Sequence, residues 1–274
     1  MTDPAALASE IILKKTAIRP QIAIILGSGL GDIAQLLTQS IRISYADLPD
    51  FPPCAVAGHA GVLHIGYLNE LPVACLQGRA HWYEGVSNST ATTYVRTLKL
   101  IGCQSLLITN AAGSMREDIH TGDLVLIHDY INFQGRSVLM GPNNETYGPR
   151  FLGVEDVFNP SLRQKLQAAA QTSNIPLKEG VYFAALGPQF ETPTEIHAFK
   201  MLGGDVVAMS AINEILVAHH CGMAVAMISA ISNMASGMST QKISHELTLE
   251  GVKLAANKLK TVLEAFSLAP STKF

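Results

Sequence analysis

Charge is scarce in this sequence, and so are aromatic rings and thiols. Of 274 residues, 15% are Asp, Glu, Lys or Arg and 6% are Phe, Trp or Tyr, with one tryptophan and four cysteines. So little charge beside so much apolar content argues against a disordered chain, which stays unfolded through low hydrophobicity and high net charge. The formal net charge is −3, so there is no basic footprint for nucleic acid, and no Lys/Arg cluster dense enough for a membrane surface. Cys54, Cys75, Cys103 and Cys221 lie far apart with no C-x-x-C pair. That spacing argues against a disulfide framework or a zinc site and predicts reduced thiols in a cytoplasmic protein. No apolar run approaches the roughly 20 residues of a membrane helix, and the first ten residues lack the basic and apolar segments of a secretory signal. What is abundant is hydrophobic: 48% of the chain, ample for a buried core.

Apolar β-branched runs alternate with helical patterns along most of the length. This predicts an α/β fold: a central mixed, largely parallel twisted sheet flanked by helices, in one domain spanning residues 1–274. Strands are expected at Ile22–Leu26, His64–Tyr67, Leu71–Gln77, Ser105–Thr109, Leu124–His128, Val181–Ala185, Val206–Met209 and Ala224–Ser229. Helices are expected at Ala5–Thr16, Thr92–Ile101, Ser161–Thr172, Pro193–Leu202, Ile212–His220 and from His245 to Phe266, with a frayed tail beyond. The segment Gln134–Arg150, rich in Gly, Pro and Asn, is too long for a plain connector and reads as functional or interfacial.

Three clusters carry chemistry. The first is Gly27-Ser-Gly-Leu-Gly31, a turn between an expected strand and a short helix. Such a turn either aims backbone N–H groups at an anion or merely permits positive φ. Asp32 breaks the dinucleotide fingerprint at its last glycine, and no G-K-[ST] follows to make a P-loop. Ser28 instead offers a hydroxyl to a small oxyanion. The second cluster is Gln77-Gly-Arg-Ala-His-Trp-Tyr-Glu-Gly85, where Arg79, His81 and Tyr83 alternate after an apolar strand. If that segment is extended, the three side chains share a face, and an arginine fork beside an imidazole suits a tetrahedral oxyanion. In the third, Asn110-Ala-Ala-Gly-Ser114, small residues immediately after a buried strand let a ligand approach the backbone and make the Ala111 N–H a candidate donor. Three anion-suited groups at strand ends match the rule that α/β ligands bind at the carboxyl ends of strands.

Taken in order, six segments resemble the purine nucleoside phosphorylases of the trimeric class. They are Leu26-Gly-Ser-Gly-Leu-Gly31, Gly58-His-Ala-Gly61, Gly78-Arg-Ala-His-Trp-Tyr-Glu-Gly85, Thr109-Asn-Ala-Ala-Gly113, Gly187-Pro-Gln-Phe-Glu-Thr192 and Gly204-Asp-Val-Val-Ala-Met-Ser210. The likeness runs from about Ile22 to the last helix. It implies that a purine ribonucleoside and phosphate are converted to free base and ribose 1-phosphate, without metal or organic cofactor, in a homotrimer. It further implies that Ser28, His59, Arg79, His81, the Ala111 N–H and Ser210 hold phosphate. Tyr83, Met209 and His245 would surround the ribose, and Phe190, Glu191 and Asn233 the base. Phe151 would reach a neighbouring subunit's sugar site, and Asn233, Glu191 and His81 would carry the chemistry.

A departing purine becomes anionic, so a donor such as the Asn233 amide lowers the barrier. Glu191 accepts from the N1–H of hypoxanthine or guanine but faces a lone pair on adenine, which predicts inosine and guanosine over adenosine. The chain departs from mammalian members at Met234, where they carry lysine, and at Ser232, where they carry threonine; xanthosine is therefore left open. Plainer roles stand beside these. Glu191 would complement the helix starting at Pro193, His245 would be an ordinary first-turn residue, Asn233 a turn former, and Met209 core. The His219-His220 pair reads as structural. The rival functions are a purine nucleoside hydrolase and a non-catalytic nucleoside-binding protein.

Overall fold

A computed structural model describes residues 3–54 and 59–269. Gly58 of the second motif and the tail 270–274 lie outside the described residues. Strand β1 (Ile22–Leu26) is buried along its whole length, as its unbroken apolar run requires for a strand covered on both faces. It pairs in parallel with β4 (Leu71–Gln77) on one side and with β5 (Ser105–Ser114) on the other. Beyond β4 come β3 (Val62–Leu68) and β2 (Thr38–Ser44), both antiparallel. Strand β2 was not expected. It is an edge strand exposed at most positions, so its mixed polar composition hides it from a periodicity argument.

On the far side of β5 the sheet closes. Strands β6 (Leu124–Asn132), β7 (Leu177–Ala184), β8 (Val206–Ala208) and β9 (Ala224–Met234) run β5-β8-β7-β6-β9, and β9 pairs back onto β5. The pairings β5–β9, β6–β7 and β7–β8 are parallel, whereas β5–β8 and β6–β9 are antiparallel. A ring of strands has no free edge to protect.

Alternation along β1 distributes its side chains between two layers. Ala23 and Ile25 pack with helices α1 (Pro4–Lys15), α2 (Asn88–Leu100) and α5 (Ile212–His220). Ile22, Ile24 and Leu26 face α3 (Pro160–Thr172) and α6 (His245–Leu268). Helix α4 (Pro193–Met201) covers the ring through Ile196 and Phe199, which pack with Phe183 and Met115. Among the described residues no helix is long and apolar enough to cross a membrane, and the four cysteines are unpaired.

Several expected strands are longer than periodicity suggested. Strand β5 continues from Thr109 to Ser114, β6 from His128 to Asn132, and β9 from Ser229 to Met234. Ala111 and Asn233 therefore sit within strands, not after them. The reason is mutual: β5 and β9 pair with each other as far as Ser114 and Met234, so residues of low strand propensity are carried by a partner ladder. The segment between β6 and α3 forms no α-helix or ladder strand. The two histidines read as structural tether it: His219 Nε2 lies 2.9 Å from the Gly153 carbonyl and His220 Nε2 3.1 Å from that of Pro149.

Candidate active site

The register of the central strands decides which loops meet. Leu26 is level with Gln77, so the turns that follow β1 and β4 emerge side by side. Strand β5 outruns β1, and the glycine turn leans against it: a Cβ on Gly27 would lie 2.6 Å from Asn110 Cα. Only glycine fits there, which is a packing reason for the first glycine of the motif. Around these carboxyl ends opens a cavity of about 380 Å³, a usual size for a small-molecule site.

Ser28, His59, Arg79, His81, Ala111 and Ser210 line this cavity, and so do Tyr83, Phe190, Glu191, Met209, Asn233 and His245. Of the site residues named from the sequence, Phe151 alone is not among those lining the cavity. It lies on the segment between β6 and α3 with 90% of its surface exposed.

His59 is buried, and its hydrogen bonds determine its tautomer. Nδ1 accepts from the Arg79 backbone N–H at 3.2 Å, so in the neutral ring the proton sits on Nε2. That nitrogen, 3.0 Å from Ser28 Oγ, then donates to the hydroxyl. Burial first, and the nearby His81 and Arg79 next, pull the His59 pKa down to about 3, so the ring is neutral near pH 7. With its oxygen already accepting from His59, Ser28 has its own hydrogen to give to an anion.

Arg79 is 1% exposed. Its Nη2 donates to the carbonyls of Thr109 at 2.5 Å and Ile25 at 3.5 Å, while Nε and Nη1 form no hydrogen bond among the described residues. The segment 79–83 is extended at His81 (φ −120°, ψ 145°) but does not stay so as far as Tyr83. Gly78 has φ of 138°, and Trp82–Glu84 is a 3-10 turn. Arg79, His81 and Tyr83 nevertheless reach one cavity, brought there by the turn and not by a pleat. The rings of His81 and Tyr83 stack at 4.7 Å. His81 donates from Nδ1 to Glu84 Oε2 at 2.8 Å, and its backbone N–H reaches the same oxygen at 3.0 Å. This orients the imidazole and leaves Nε2 as its other polar atom.

Asn233 owes its direction to an irregularity. Ala112 pairs with Ile231 and the next residue, Gly113, pairs with Asn233, so Ser232 is the extra residue of a bulge. The Ser232 hydroxyl lies 3.1 Å from the Ala112 carbonyl and 2.7 Å from Asn233 Oδ1. Asn233 Nδ2 donates one hydrogen to the Met234 carbonyl at 3.0 Å and keeps the other. A Cβ on Gly113 would come within 3.1 Å of that nitrogen, so glycine opposite leaves the amide its space.

Glu191 precedes the helix without capping it. The capping box of α4 is made by Thr192 and Glu195, and Glu191 lines the cavity. Burial, with Glu195 adding, holds its pKa above the ordinary glutamate value. His245 is the first residue of α6, capped by Ser244. Ser210 is held by Tyr182, whose hydroxyl donates to the Ser210 carbonyl at 2.6 Å and accepts from its N–H at 3.2 Å. The next residue, Ala211, has φ of 73°, and the Ile212 N–H returns to the Ser210 carbonyl at 3.0 Å. This is a positive-φ γ-turn, a strained conformation for a residue with a Cβ.

Sequence reasoning missed Tyr182, Glu84 and Glu214. The only available signal was Glu214, a lone charge in the apolar run Ile212-Asn-Glu-Ile-Leu-Val-Ala218. Tyr182 is indistinguishable from any strand aromatic. Among the described residues no group of three or more His, Cys, Asp or Glu side chains is placed to hold a metal ion.

Comparison with known proteins places this geometry in a lineage. The family model described as the phosphorylase superfamily matches residues 21–267. Purine nucleoside phosphorylase 1 of Geobacillus stearothermophilus is 43% identical over 93% of this chain and 93% of its own length. The purine nucleoside phosphorylase of Rattus norvegicus is 41% identical over 92% of this chain and 90% of its own. The Schistosoma mansoni purine nucleoside phosphorylase, solved in complex with inosine, superposes with a TM-score of 0.91 at 34% identity, covering 98% of this chain and 97% of that one. With its ring of strands, its composite cavity and this likeness over nearly its full length, the chain belongs to the phosphorylase superfamily, among the purine nucleoside phosphorylases.

Proposed function

We propose that this chain cleaves the N-glycosidic bond of purine nucleosides with inorganic phosphate, releasing the base and ribose 1-phosphate. The observation that carries this reading is the convergence of two unlike sets of groups on one cavity: an anion-suited set around Ser28 and Arg79, and a base-suited pair, Glu191 and Asn233. In a reaction of this kind the ribose becomes cationic and the purine anionic, so the two sets stabilise opposite ends of the transition state. Ser28, His59, Arg79, His81, the Ala111 N–H and Ser210 hold phosphate against the sugar. Within this set His59 acts mainly through Ser28, whose hydroxyl it orients. Tyr83, Met209 and His245 enclose the ribose, and Phe190 packs on the base. The free N–H of Asn233 meets the charge that develops on the purine, and Glu191 accepts from N1–H.

This assignment favours 6-oxopurine nucleosides, inosine and guanosine, with xanthosine a third candidate that the Ser232–Met234 segment bears on. Adenosine would leave Glu191 opposite a lone pair, a mismatch that costs discrimination. The active form on this reading is a homotrimer in which Phe151 closes the sugar site of the next subunit, and the setting is purine salvage in the cytoplasm. A hydrolase would have no use for the anion-suited set.

One assay tests the whole: inosine, guanosine, xanthosine and adenosine, each with and without phosphate. Base release is expected only with phosphate, and with kcat/KM for inosine well above that for adenosine. Release that ignores phosphate would replace this reading with hydrolysis, and equal use of adenosine would remove the role given to Glu191.

A further inference from the structure

A carboxylate cut off from water is costly to bury unless a cation and donors compensate it. Glu214, on the first turn of α5, is fully buried, and its Oε1 lies 3.6 Å from Arg79 Nε. The Tyr94 hydroxyl stands near enough to donate toward the Glu214 carboxylate, yet no bond to either carboxylate oxygen closes with good geometry among the described residues, and the same holds for Arg79 Nε and Nη1. The phenols of Tyr45, Tyr94 and Tyr182 surround the pair. All three are pushed upward by burial first, and each also feels the negative charge of Glu214. Arg79 therefore has a buried anion behind it and the cavity in front of it.

We propose that Glu214 is a positioning residue that holds the Arg79 guanidinium inward as its counter-ion and weakens the cavity's grip on phosphate. The inference rests on the phosphate-binding role given above to Arg79. When an anion enters, the guanidinium lies between two negative charges. At an effective dielectric constant of about 20, like charges separated by an arginine head repel enough to change affinity by about tenfold. Incoming phosphate and outgoing ribose 1-phosphate occupy the same cradle, so an unopposed Arg79 would bind both too tightly for quick release. The partly satisfied hydrogen-bonding of the pair fits this: Glu214 offers Arg79 charge compensation without using up its donors.

The test uses the full-length purified protein, with inorganic phosphate as the titrant in calorimetry, in thermal melts and in steady-state kinetics with inosine. In Glu214→Gln, phosphate is expected to bind about five- to tenfold more tightly. Its KM should fall in parallel while that for inosine stays within about twofold. The melting temperature without phosphate should drop, and the rise on adding phosphate should exceed that of the parent. Glu214→Asp keeps the charge and should keep phosphate affinity near the parent value. The double variant Arg79→Gln/Glu214→Gln removes both charges and should melt above Glu214→Gln. If Glu214→Gln lowers the melting temperature but leaves phosphate binding unchanged or weaker, the residue is structural only and the inference is overturned. Arg79→Gln alone separates the two levels. If phosphate still binds as in the parent, the role of Arg79 fails and the inference with it. If phosphate binding is lost there while Glu214→Gln is neutral, the inference alone fails. Should Glu214→Gln not fold, the double variant decides: a folded double variant supports the pairing, and an unfolded one refutes it.

Discussion

At the scale of single residues, burial sets the protonation state and hydrogen bonding sets the tautomer before any ligand arrives. Burial, with the nearby His81 and Arg79, pulls the His59 pKa down to about 3 and keeps the ring neutral, and the Arg79 N–H on Nδ1, with Ser28 beside Nε2, fixes which nitrogen carries the proton. The consequence for stability has a definite sign. An unfolded histidine takes up a proton below about pH 6.5 whereas the folded one does not. Stability is thus unaffected above that value and declines as pH falls from about 6.5 toward 3, by up to about 1.4 kcal/mol per pH unit from this group. Glutamine in place of His59 removes the contribution. Urea denaturation of the parent and of His59→Gln between pH 7 and pH 4.5 is expected to show the shallower loss in the variant. Parallel curves would mean that His59 titrates normally in the folded protein.

At the scale of elements, two departures from regular structure aim the site. The bulge at Ser232 turns Asn233 into the cavity, and the γ-turn at Ala211 ends β8's approach and launches α5. Ala211 is 1% exposed with φ of 73°, so its methyl group is strained and hemmed in. Glycine tolerates that φ, whereas valine adds a β-branch to a buried, positive-φ position. Ala211→Gly is expected to melt at or above the parent temperature. Ala211→Val should lose about 2 kcal/mol or more and raise KM for phosphate, because Ser210 is the adjoining residue. Chemical denaturation together with phosphate titration reads both effects. An innocuous valine would show that the turn carries no strain.

At the scale of the whole molecule, the ring β5-β8-β7-β6-β9 and the open strands β1 to β4 share β5, and the cavity lies where they meet. What lies outside that cavity is Phe151, an aromatic ring 90% exposed and therefore contributing little to the stability of its own chain. On the trimer reading its partner is the neighbouring sugar site. Phe151→Ala is then expected to raise KM for inosine several-fold while leaving the melting temperature of the subunit fold unchanged. Kinetics, with light scattering to follow the assembly, check this. Unaltered KM in an intact trimer would take Phe151 out of the site.

Local chemistry by itself determined a good deal here. The unbroken apolar runs called for strands covered on both faces, and β1 and its helices follow from them. The glycine turn, the Arg79–Tyr83 cluster and the Gly187–Thr192 segment marked three walls of the cavity, because close approach and charge leave signatures in residue type. Other features depend on a partner that is distant in the chain. Strands β5 and β9 run on past their apolar stretches because each pairs with the other, and β2 exists through its pairing with β3. The neutral tautomer of His59 needs a backbone N–H twenty residues away, and the charge behind Arg79 comes from a helix that begins more than a hundred residues later. Periodicity reports which side of an element is buried. What that side is buried against, and hence how each group is tuned, is decided only when the sheet closes.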